Sequence, residues 1–96
     1  MGDFSPSALQ TKDFEVSYKT HKKGEKWPEH YHLLATEINF LIKGSMTIAH
    51  AGRYTCIYAG EIFVVEPAEI IKPYFDTDCE LVVVKTPSVK GDKYEV

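Results

Sequence analysis

Gly24-Glu25-Lys26-Trp27-Pro28-Glu29-His30-Tyr31-His32-Leu33-Leu34-Ala35-Thr36-Glu37-Ile38-Asn39-Phe40-Leu41-Ile42-Lys43-Gly44 is the stretch that decides how this chain reads. Two histidines stand two residues apart, and a carboxylate follows five positions later. Successive side chains of a strand alternate between its faces, so an extended backbone turns His30 and His32 the same way. Two imidazoles on one face and a carboxylate from the next strand can close on one divalent ion, a ligand set used for zinc and for iron(II).

The same stretch resembles the first motif of the cupin family. That motif is a glycine, five residues, His-x-His, three or four residues, a glutamate, six residues and a glycine, and Gly24, His30, His32, Glu37 and Gly44 meet every fixed position. The resemblance implies an all-β domain, a small double-stranded β-helix or jelly-roll barrel. It also implies His30, His32 and Glu37 as metal ligands, with iron, manganese, nickel and zinc all open.

The composition fits that class. Ninety-six residues make one domain with one core. The expected barrel runs over about 13–86, with an N-terminal arm at 1–12 and a C-terminal tail at 87–96. Acids and bases are interspersed, the formal net charge is −3, and no basic patch marks a nucleic-acid or membrane-surface partner. No apolar run is long enough to span a bilayer, and Met1-Gly2-Asp3-Phe4 does not open a secretory signal. Cys56 and Cys79 are too few for a disulfide scaffold and read as reduced, buried residues of a cytoplasmic protein.

Short alternating runs separated by turns carry the all-β assignment. Strands are expected at about Asp13–Lys19, Glu29–Leu34, Thr36–Ile42, Met46–His50, Arg53–Tyr58, Glu61–Glu66, Ile70–Phe75 and Glu80–Thr86, with a loop over His21–Trp27. Ala51-Gly52 turns a hairpin. Glu61–Glu66 and Glu80–Thr86 are apolar on both faces, which predicts central strands. Pro73 interrupts its strand, and Tyr94 and Val96 are the candidate anchors of the tail.

The second cupin motif ordinarily supplies a fourth ligand, a histidine. Here its place falls on Ile71 when counted from Gly60, and on Lys72 when counted from Pro67. An isoleucine cannot coordinate, and an ammonium must lose its proton first. The protein ligands therefore fall to three, which leaves open positions for water or substrate. His21 and His50 are read as ordinary loop and surface histidines.

Four further residues are candidates for contact with a bound molecule. Trp27 stands where the loop enters the histidine strand and can wall a pocket mouth. Glu66 can act as acid or base, Lys72 can bind an anionic group, and Tyr74 follows on the expected pocket side. No catalytic residue is assigned. The functional expectation is a metal-binding protein that binds or acts on a small oxygen-rich molecule, a sugar or organic acid. The alternative is a non-catalytic binding or accessory protein with a degenerate metal site. A homodimer is expected, because a small barrel with an apolar outer sheet and an open edge strand invites association.

Overall fold

The computed structural model describes all of residues 1–96 and contains nine strands and no helix. They are β1 Glu15–His21, β2 His30–Tyr31, β3 Thr36–Lys43, β4 Ser45–His50, β5 Arg53–Tyr58, β6 Ile62–Val65, β7 Lys72–Phe75, β8 Cys79–Thr86 and β9 Tyr94–Glu95. No helix is long and apolar enough to cross a membrane.

Two antiparallel sheets face each other, one in the order β1-β8-β3-β6 and one in the order β5-β4-β7. The core between them takes Leu41, Val65, Leu81 and Val83 from the first sheet and Met46, Ile48, Ile57 and Phe75 from the second. A small third pairing, β2 with β9, joins the histidine segment to the C-terminal tail. Tyr31 stacks on Tyr94 there, with ring centroids 5.4 Å apart, so the tyrosine between the histidines packs outward on the tail.

The turn from β3 into β4 passes the chain between sheets, and it needs a glycine. Gly44 has φ +94°, and a Cβ there would collide with the Asp78 carbonyl and lie 2.8 Å from Cys79 Sγ and Thr77 Oγ1. The Ala51-Gly52 hairpin has positive φ at both residues, 50° and 75°, the two-residue turn that matches strand twist.

Three expectations need correction. β6 is an edge strand, not a central one. Its outer residues Ile62 and Val64 are apolar but exposed, so two-sided apolarity does not here mean two-sided burial by the same chain. The strand through the histidines is only His30–Tyr31, far shorter than Glu29–Leu34. Cys56 is exposed, whereas Cys79 is buried, and both thiols are free. Pro73 lies inside β7, whose outer side is paired irregularly with the Gly24–His30 segment; its carbonyl accepts the Trp27 N–H at 3.2 Å.

Candidate functional site

Alternation builds a cavity between the two sheets. β3 turns Glu37 and Asn39 inward, while β8 contributes Val83 and Lys85. His30 and His32 enter from β2 and the residue after it, and both are buried. Trp27, Ile71, Pro73 and Phe75 lie beside His30, where the histidine segment pairs with β7, and face the β3 and β8 residues. The cavity volume is about 80 Å3, against ~10–15 Å3 for a single water, which leaves room for a molecule of a few non-hydrogen atoms.

The histidines are held by backbone carbonyls. His30 Nδ1 lies 3.0 Å from the Pro28 carbonyl, and His32 Nδ1 bonds the Asp92 carbonyl. A carbonyl only accepts, so each Nδ1 carries a proton and donates, which leaves Nε2 as the free end of each ring. Nε2 of His32 then meets a second acceptor, Glu37 Oε2, at 3.1 Å. Two acceptors on one ring require two protons, so His32 is an imidazolium in this arrangement. Its pKa is raised because the Glu37 hydrogen bond outweighs the cost of burial. Burial lowers the pKa of His30, so it stays neutral beside its charged neighbour. Burial by itself would raise the pKa of Glu37, but hydrogen bonds from His32 and Asn39 and the Lys85 charge hold it at about 2. Asn39 Nδ2 donates to Glu37 Oε1 at 3.0 Å, fixing the carboxylate from its other side.

One anchor of this site comes from the far end of the chain. The Asp92 carboxylate accepts N–H bonds from Leu33, Leu34 and Ala35 at 3.0–3.3 Å. It thereby pins the bend that follows His32, while its own backbone carbonyl orients the ring. Burial would push the Asp92 carboxyl up, but the three N–H donors lower it. The next residue, Lys93, places its ammonium 3.5 Å from the centroid of the Trp27 ring. Neither residue stands out in the sequence as part of the site.

The structure brings His30, His32, Glu37 and Trp27 to one cavity. It does not bring Glu66, Lys72 or Tyr74 there. Lys72 and Tyr74 point outward into a shallow depression on the other side of their sheet, with Lys26 and Tyr54. Glu66 is exposed at the turn after β6, where its N–H bonds Glu69. Pairing decides the two counts made for the second motif: Ile71 bridges His30 and lines the cavity, and Lys72 is turned away. His21 also lines the cavity, stacked on Phe75 with centroids 4.0 Å apart and tied to Glu25, rather than lying in a loop. His50 is remote, bonded to the Ile70 carbonyl and to Glu69.

As arranged, no three His, Cys, Asp or Glu side chains stand close enough to share an ion. The donor chemistry nevertheless fits a divalent cation. Nδ1 of each ring is tied to a carbonyl, the orientation that metal-bound imidazoles adopt, which leaves Nε2 as the ligating end: free on neutral His30, and on His32 once the proton held against Glu37 is released. His30 lies beside the His32–Glu37 pair, with the two imidazole centroids 5.7 Å apart.

No family model matches the chain, and no curated protein matches it in sequence. Solved structures do. A protein with a double-stranded β-helix domain from Klebsiella pneumoniae subsp. pneumoniae MGH 78578 superposes with TM-score 0.80 at 21% identity, over 93% of this chain and 79% of that one. An RmlC-like cupin from Shewanella frigidimarina NCIMB 400 gives 0.75 at 18%, over 82% and 70%. An oxalate oxidase in complex with glycolate gives 0.73 at 22%, over 86% of this chain and 46% of that one. By strand order, sheet packing and these superpositions, the chain has the double-stranded β-helix fold.

Proposed function

We propose that this chain is a metal-dependent small-molecule protein, in which His30, His32 and Glu37 hold one divalent ion at the wall of the cavity. The observation that carries the reading is the doubly accepted His32 ring. Its Nε2 proton points at a buried carboxylate, with the neutral His30 alongside. A cation taking the place of that proton would be held by the same carboxylate and imidazole. Bound there, it would supply Lewis-acid polarisation of an oxygen-bearing ligand. The chain's own residues do the rest. Asn39 orients Glu37, the Pro28 and Asp92 carbonyls fix the tautomers, and Ile71 and Phe75 keep the adjoining wall dry.

The test is metal binding by calorimetry with elemental analysis, offering iron(II), manganese, nickel and zinc in turn. The expected result is one ion per chain, lost in His32→Ala and in Glu37→Gln. No stoichiometric binding of any of the four would overturn the reading. A second reading, a binder that works without metal, is favoured by the apolar Ile71 at the fourth-ligand position; a ligand affinity unchanged by chelation would select it.

The outer face of the four-stranded sheet supports a homodimer. Two rows of apolar side chains cross it in register, Val16-Val84-Ile38-Val64 and Tyr18-Val82-Phe40-Ile62. Tyr18, Phe40, Ile62 and Val64 are exposed, and a contiguous apolar patch of this kind marks an interaction surface. Light scattering at micromolar concentration should give a dimer mass for the native chain and a monomer mass for Phe40→Lys. Two free thiols, one of them exposed, support a reducing, cytoplasmic setting.

A further inference from the structure

The chain carries a formal net charge of −3, yet its cavity has the opposite sign. Three lysines line it, Lys19, Lys85 and Lys93, against a single carboxylate, Glu37. Glu37 is already engaged by His32 and Asn39. Of the lysines, only Lys85 has a carboxylate partner, Glu15 at 3.8 Å. Lys19 and Lys93 have none, in a chain with 14 acidic against 11 basic residues. Unpaired like charges converging on a partly enclosed space oppose one another, and folding tolerates them where an anion is to be received.

Lys93 is the most telling of the three. It sits on the tail segment that Asp92 clamps to the histidine bend, so its position is set by three hydrogen bonds one residue away. Its ammonium rests on the face of Trp27 and makes no ion pair. A ring face is a weaker partner for an ammonium than a carboxylate is. Lys93 is exposed at the mouth of the cavity; partial desolvation and the nearby Lys85 and Lys19 charges lower its pKa, against the opposing charges of Glu37 and Glu95. Beyond the lysines the walls are apolar, with Ile48, Phe63, Ile71, Phe75 and Leu81.

We propose that the cavity selects a small carboxylate, seating its anionic group on Lys93 within the field of Lys85 and Lys19 and its carbon skeleton against the apolar wall. A phosphate fits less well. Lysine binds phosphate as a point charge, but phosphate sites add to it arginine forks or clusters of backbone N–H groups. The single arginine, Arg53, lies on β5 and is not among the cavity residues. The volume of about 80 Å3 also limits the ligand to a short acid. This assignment rests on the reading of the cavity as a small-molecule site, and it names the charge that site prefers.

Trp27 is the chain's one tryptophan and lies under Lys93, so its fluorescence reports the event directly. Glycolate, pyruvate and succinate would be titrated against their amides, glycolamide, pyruvamide and succinamide, and against inorganic phosphate. Chelator-treated protein is used, so that metal binding cannot stand in for anion binding. The acids should bind at least about tenfold more tightly than the amides, the size of one charge-assisted hydrogen bond. Lys93→Gln should weaken the acids by about tenfold, Lys93→Arg should restore most of the loss, and Lys90→Gln, on the same tail but outside the cavity, should change nothing. Equal binding of acids and amides, tighter binding of phosphate than of any carboxylate, or equal losses in Lys90→Gln and Lys93→Gln would each overturn the carboxylate assignment and leave the small-molecule reading standing. No saturable binding of any acid or amide, to chelator-treated or to manganese-loaded protein, would overturn both.

Discussion

The two halves of the barrel bring related segments side by side at one cavity, where His30 and Ile71 exchange backbone hydrogen bonds, and fill them differently. The segment from His30 to Glu37 turns two imidazoles and a carboxylate inward. The segment from Glu66 to Phe75 turns in Ile71, Pro73 and Phe75, and its polar residues Lys72 and Tyr74 face out. The halves also differ in how they are pinned. Asp92, buried, accepts three N–H bonds behind His32, whereas Glu69, partly exposed, accepts one from Glu66 and pairs with His50. Chemistry is concentrated in one segment and shape in the other, and the rigid support follows the chemistry.

The largest effect should come from removing that support. Asp92→Ala removes the acceptor of three N–H groups at a partly buried bend, and a loss of about 2–3 kcal/mol is expected. Glu69→Ala, at the corresponding turn of the other half, should cost under ~1 kcal/mol, as exposed pairs do. Urea unfolding of the two variants checks the contrast; equal losses would break it.

The next effect converts one half toward the other. Ile71 bridges His30 and lines the cavity, so Ile71→His should add a ligand and tighten metal binding by about 10- to 100-fold. Lys72→His, turned outward, should leave it unchanged. Calorimetry on both variants reads the difference, and a gain in Lys72→His alone would place the wrong residue in the cavity.

The smallest effect lies within the histidine half. In metal-free protein, His32 should titrate above 6.5 and His30 below it, because Glu37 raises the first and burial lowers the second. The raised His32 contributes stability below pH 6.5 that is lost as pH rises through its folded value. The lowered His30 has the opposite sign and withdraws stability as pH falls below 6.5. Glu37, lowered from 4.5 to about 2, contributes stability above 4.5 that is lost as pH falls through about 2. Ring NMR titration resolves the two histidines, and urea midpoints between pH 5.5 and 2.5 should fall with the carboxylate. Coincident histidine titrations would contradict the hydrogen-bond assignment.

The sequence shows the histidine wall better than what surrounds it. His30, His32 and Glu37 are legible because alternation and spacing are local, and the Ala51-Gly52 hairpin is legible because its turn chemistry is local too. β1 was expected two residues early, since Phe14 continues the alternation of Val16 and Tyr18 although the pairing with β8 starts at Glu15. β6 misleads because its outer residues belong to a face that its own chain leaves open. Asp92 and Lys93 leave almost no local trace. A carboxylate that caps a bend 57 to 59 residues away is set by tertiary structure, and Gly91-Asp92 in the sequence is simply a turn. The absence of Glu66, Lys72 and Tyr74 from the cavity has the same origin, since which way β7 faces is fixed by its pairing with β4.

The most direct measurement is a crystal structure of the protein grown with manganese or zinc and recorded at the metal's absorption edge. The account predicts one anomalous peak per chain, bonded to Nε2 of His30, Nε2 of His32 and the Glu37 carboxylate, with Ile71 beside His30 and no other protein ligand. A cavity without a peak, with the His32–Glu37 hydrogen bond intact at saturating metal, would contradict it, as would an ion held by His21 or His50.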